Sequence, residues 1–140
     1  MAHLILAASL AFNLVCTGVR TETHDDGRQE KLPYTHVYRV DPSRMLYCLD
    51  RCTEIHRIEY INEGRYQFQL LVKKADGRTF SMTDAYIAAT GQHEGSRRVY
   101  KGPSLGSSYS NTFTYEGQCE KRSATAIPPL RPAERSEIDE

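Results

Sequence analysis

The sequence predicts a mainly β domain, a small antiparallel sheet or barrel tied by a disulfide, with one or two short helices. Three observations carry this expectation. Tyr66, Phe68, Leu70 and Val72 alternate with Gln67, Gln69, Leu71 and Lys73, the period-two pattern of a half-buried strand. Asp76-Gly77 follows, a turn pair suited to a tight hairpin, and Phe80 and Met82 then alternate with Thr79, Ser81 and Thr83 on a return strand. Near the end, Phe113, Tyr115, Gly117 and Cys119 share one parity while Thr112, Thr114, Gln118 and Glu120 share the other.

The remaining elements are weaker. Val37, Arg39 and their neighbours suggest a first strand. Asp41-Pro42 offers an N-cap acid and a proline at the first helical position, and Met45, Leu49, Cys52 and His56 follow at helical spacings. Asp84 could cap a second helix over residues 85–89, with Gly91 as its stop. Both stretches suit strands as well.

The chain has 140 residues, 18 Lys plus Arg and 18 Asp plus Glu, so its net charge is zero. This length fits one domain, and a neutral balance argues against a nucleic-acid binder held by a basic surface. Residues 1–18 carry no charged side chain, and the apolar run from Leu4 to Cys16 is too short to span a membrane but fits the core of a secretory signal. Small residues at Cys16-Thr17-Gly18 place an expected cleavage after Gly18. Cys16 also permits a lipid-anchored reading, which Val15 disfavours because the preceding position is normally small. Residues 19–33 hold seven charges and are expected to form a polar arm; residues 122–140, with three prolines and seven charges, a disordered tail. The folded domain is then residues 34–121, with 12 positive and 10 negative side chains. The expected location is secreted or periplasmic.

Removal of a signal through Gly18 leaves Cys48, Cys52 and Cys119, an odd number. Cysteines four apart aim poorly at one another on a helix and lie too far apart on a strand, so they could pair only if Leu49-Asp50-Arg51 makes a tight loop. The expected bond joins Cys119 to Cys48 or Cys52, leaving a thiol free or available for a dimer. A zinc or redox site built from Cys48, Cys52, His56 and Cys119 is the alternative. No cofactor is expected.

Gly102-Pro103-Ser104-Leu105-Gly106 matches the nucleophile-elbow pattern, but a poor helix start follows and no histidine lies downstream. His93, with Asp84 and Ser96 nearby in sequence, supplies the names of a triad without its geometry, and reads as a solvated loop histidine. The chain is therefore expected not to be an enzyme. Its expected function is to bind a protein or cell-envelope component, through a Tyr and Arg surface including Arg97, Arg98, Tyr100 and Tyr109.

Across residues 48–119, the early cysteine, the hairpin, Ala89-Thr90-Gly91, Tyr100-Lys101-Gly102 and Cys119 loosely resemble the periplasmic or membrane-bound C-type lysozyme inhibitor family. The resemblance implies a small disulfide-closed barrel in which Thr90 and Lys101 enter the lysozyme cleft. An ammonium placed between active-site carboxylates would form a charge-assisted pair. The sequence departs from the family in having Thr90 where a serine is usual, Glu94 where an aromatic is usual, and a short spacing between the two glycine motifs.

Overall fold

A computed structural model describes residues 11–103 and 109–125. The described chain is all β: β1 Phe12–His24, β2 Gln29–Asp41, β3 Leu46–Leu49, β4 His56–Arg57, β5 Tyr60–Asn62, β6 Arg65–Ala75, β7 Arg78–Ile87, β8 Gln92–Tyr100 and β9 Tyr109–Arg122. These strands form one curled antiparallel sheet, a half-barrel, in the order β4-β3-β2-β1-β9-β8-β7-β6-β5. Every neighbour pair is antiparallel, and the last strand lies beside the first. Among the described residues there is no helix long and apolar enough to cross a membrane.

Alternation along each strand sends one set of side chains to the concave face. On β1 these are Phe12, Leu14, Cys16 and Gly18. Opposite them on β2 stand Val40, Tyr38, His36 and Tyr34. Phe12, Leu14, Tyr38, Val40, Tyr47, Ile58, Phe68 and Tyr86 build the main core at one end of the half-barrel. Stacking of Tyr38 on Phe68, with centroids 4.7 Å apart, ties β2 to β6 across this core.

The N-terminal expectation changes most. Residues 12–18, read as the end of an export signal, and residues 19–33, read as a polar arm, together make β1, the turn and the start of β2 in the β1–β2 hairpin near the centre of the sheet. The boundary expected at Gly18 falls inside β1. The run looks unpartnered in sequence because its partners, Tyr34, Tyr38 and Val40, lie beyond a charged turn that resembles a solvated arm. Residues 1–10, the tail from 126 and Ser104–Ser108 of the glycine-serine motif lie outside the described residues.

Neither expected helix forms. Asp41 does act as a cap, but of a turn: its carboxylate accepts from Ser43 Oγ at 2.6 Å and Arg44 Nε at 2.7 Å. Met45 then turns left-handed at φ 56° and sends the chain back as β3. Likewise β7 runs on through Ile87, and Gly91, at φ 76°, closes the reversal into β8 with its N–H on Ile87 O at 2.8 Å. The signals marked backbone reversals, which helix ends and hairpin turns share.

The disulfides also differ from expectation. Cys119 is bonded to Cys16 and not to Cys48 or Cys52, because Cys16 and Cys119 are direct cross-strand partners with Cα atoms 3.9 Å apart. Cys48 bonds Cys52. The tight loop this needs is present: Asp50 and Cys52 are both left-handed at φ 54°, and the Asp50 carboxylate accepts from Val37 N–H. No cysteine is free, so the odd thiol and a dimer through it disappear. Cys16 Sγ is committed to Cys119, which removes it as a lipid carrier in this state. The set of Cys48, Cys52, His56 and Cys119 presents no thiolate to zinc. Two intramolecular disulfides fit an oxidising, extracellular type of compartment.

Candidate functional site

Three glycines on the concave face open the middle of the half-barrel. Gly18 and Gly117 are cross-strand partners, and a Cβ at either would lie 2.0 or 2.1 Å from a backbone oxygen of the facing strand. Gly95, on the neighbouring β8, faces Tyr115 across the same layer. With no side chains from these three positions, larger groups on β2 and β7 reach into the middle. The Tyr34 hydroxyl lies over Gly117, 2.6 Å from where its Cβ would be.

A buried polar network occupies that space. His93 is 1% exposed, which corrects its reading as a solvated loop histidine. Its Nε2 lies 2.6 Å from Asp84 Oδ1 and 3.0 Å from Tyr38 Oη, and its Nδ1 lies 2.6 Å from Tyr34 Oη. The Tyr38 hydroxyl donates to Asp84 Oδ2 at 2.6 Å. A carboxylate beside Nε2 assigns the proton of neutral His93 to that nitrogen, and Nδ1 then accepts from the Tyr34 hydroxyl. Both ring nitrogens are thus occupied. Ser96 does not join them; its Oγ pairs with Thr83 Oγ1 at 3.0 Å.

Beside the network is a cavity of about 260 Å³, whose lining includes His36, Leu49, Gln69, Met82, Asp84, His93, Arg97 and Tyr115. His36 is packed among rings, 5.0 Å from Tyr34 and 5.5 Å from Tyr115 by centroid. Its Nδ1 is shielded from solvent and has no hydrogen-bond partner among the described residues. Burial lowers the His36 pKa from its usual value, so the ring favours its neutral form.

Burial, reinforced by the negative field of Asp84, pushes the Tyr34 hydroxyl up to about 12. The same two causes raise Tyr38 well above its usual 10.0. Because these folded-state values are raised, the unfolded chain loses its tyrosine protons first as pH increases. Stability is therefore expected to be fully present below pH 10.0 and to fall from there toward about 12. Urea unfolding across that range checks this, and Tyr34→Phe should flatten the decline; an unchanged slope would contradict the assignment.

The other sequence-predicted residues are scattered. Arg97 is on the concave face and lines the cavity, whereas Arg98, the next residue, points to the convex face. Tyr100 is 6% exposed and belongs to the packed interior more than to a surface. Thr90 precedes β8 and Lys101 follows it. Nine residues of strand hold them roughly 30 Å apart. Lys101 pairs with Asp25 at 3.2 Å. Tyr109 enters as backbone of β9, opposite Tyr100.

One described group has metal-ligand atoms close together: Glu22, His24 and Glu30, within 4.8 Å of one another at the β1–β2 turn. The two carboxylates lie 3.8 and 3.7 Å from His24 Nε2.

Sequence reasoning missed His36, Tyr34, Tyr38 and Gln69 as site residues. For the three on β2 the available signal was parity: Tyr34, His36, Tyr38 and Val40 alternate through the segment that follows the expected arm and reads only as a weak strand around Val37 and Arg39. No protein-family model, curated protein or solved structure matches the chain.

Proposed function

We propose that the chain is an exported, non-enzymatic binding domain whose concave cavity receives a small polar aromatic group carried by a protein or envelope component. The observation that carries this reading is the cavity itself. Its wall includes Tyr115 and the imidazoles of His36 and His93, it reaches the Asp84 and His93 members of the satisfied network, and the buried Nδ1 of His36 lacks a partner among the described residues. At about 260 Å³ it lies just below the usual range for drug-sized ligands, roughly 300–1,000 Å³, and suits a side chain or single ring. An aromatic hydroxyl or imidazole would satisfy His36 while its ring packs on Tyr115 and Met82.

A binding role is supported by His93, whose two nitrogens both have partners within the network. Export is supported by the two disulfides.

Phenol and imidazole serve as probes. Titrated into the full oxidised chain, at least one should produce saturable NMR shifts at His36, Met82 and Tyr115. Tyr115→Ala should weaken that binding roughly tenfold. Absence of any saturable shift from either probe would overturn the proposal.

A further inference from the structure

We infer that β6 is an interaction edge, and that its partner is the β6 of a second copy of this chain. The strand β5 covers β6 only at Arg65–Gln67. From Phe68 to Ala75, β6 has a strand on one side alone among the described residues. That free edge carries three consecutive exposed apolar residues, Leu70, Leu71 and Val72, at 53%, 39% and 52% exposure. Apolar side chains on both faces of an uncovered edge form a template for strand pairing.

The uncovered edge of β2, by contrast, is defended. There the free part of β2 carries Glu30, Lys31 and Pro33, and a proline cannot donate a ladder hydrogen bond. The edge of β6 has no such protection along Leu70–Val72.

A bulge sets which face each residue of this apolar run takes. Between Gln67 and Gln69 the β6–β7 register shifts. Leu70 and Val72, which follow Phe68 in sequence parity, are thereby turned to the convex face, while Gln69 and Leu71 face inward opposite Asp84 and Met82.

Turn geometry sets which backbone groups are free. Asp76 and Gly77 have φ 54° and 71°, the signature of a two-residue type I′ hairpin. Such a turn makes Ala75 and Arg78 a hydrogen-bonded pair, so Leu71 and Lys73 also bond β7. The N–H and C=O groups of Leu70, Val72 and Lys74 point to the free edge. A two-fold antiparallel pair centred on Leu71 uses them directly. Leu70 then exchanges hydrogen bonds with Val72 of the second copy, and Val72 with Leu70. Gln69 stands opposite Lys73 and Phe68 opposite Lys74, so no like charges oppose each other. The strand is thus complementary to itself in both backbone and side chains, which is the requirement of an isologous interface.

The test is sedimentation of the full oxidised chain, which should show a concentration-dependent monomer–dimer equilibrium. Val72→Pro removes an edge-facing N–H without touching the β7 ladder, and should weaken dimerisation at least about tenfold while leaving circular dichroism unchanged. Leu70→Glu and Val72→Lys supply a second test independent of proline. Each alone should be monomeric, and mixing them should restore a heterodimer, since the carboxylate introduced in one copy then faces the ammonium introduced in the other. A wild-type chain that stays monomeric, a dimer indifferent to folded Val72→Pro, or a mixture that remains monomeric overturns the inference.

Discussion

Replacing Gly117 by alanine is expected to destabilise the protein by about 3 kcal/mol or more, one of the two largest effects expected among the described glycines. The new Cβ would sit 2.1 Å from Thr17 O and 2.6 Å from the Tyr34 hydroxyl. The first contact is with backbone, so β1 and β9 must separate; rotating a side chain cannot relieve it. The second displaces the group that hydrogen-bonds His93. Gly18→Ala should behave similarly, since its Cβ would meet Glu116 O at 2.0 Å. Gly27→Ala is the control. It meets nothing within 4 Å but stands at φ 87°, so its cost is backbone strain of about 1 kcal/mol. Urea denaturation of the three variants separates the causes. Equal losses at Gly27 and Gly117 would refute the close approach of β1 and β9.

The two disulfides should contribute unequally. Cys16–Cys119 spans a sequence separation of 103, whereas Cys48–Cys52 spans 4. In the chain-entropy model, the long closure stabilises by about 4.7 kcal/mol and the short one by about 2 kcal/mol. The double variant Cys16→Ala/Cys119→Ala should therefore lose more than twice as much stability as Cys48→Ala/Cys52→Ala. Peptide mapping without reductant should also recover residues 16 and 119 in one linked fragment. A Cys119–Cys48 linkage would contradict the register of β1 on β9.

Much of the sheet was legible in local pattern. The β6–β7 hairpin follows from alternation around Asp76-Gly77, and the concave parity of β9 from Phe113, Tyr115 and Gly117. Less legible were features that depend on distant partners. The bulge at Gln67 and Gln69 reverses the face of Leu70 and Val72, although their sequence alternation is unbroken. Strand β1 was hidden because an apolar run has the same composition whether it directs export or fills a core. Its even positions acquire meaning only opposite Tyr34, Tyr38 and Val40. For the site, His93 and Asp84 were visible as names, but their contact depends on Gly95 and Asp84 being cross-strand neighbours with Tyr38 reaching over them. Residues nine apart in sequence meet here through register, and no spacing rule encodes that.

Placing β9 beside β1 has a consequence for biogenesis. The β1–β2 hairpin can form as soon as residue 41 is available, yet one flank of β1 stays open until β9 has been made. During synthesis the strand that ends up mid-sheet is therefore a temporary border, with Cys16 waiting at it. Vectorial folding from the N-terminus cannot complete this molecule, and closure depends on a contact between the two ends of the described chain. Such non-local pairing slows folding. It also makes the Cys16–Cys119 bond depend on two segments 103 residues apart, whereas Cys48 and Cys52, four residues apart, need only their local turn.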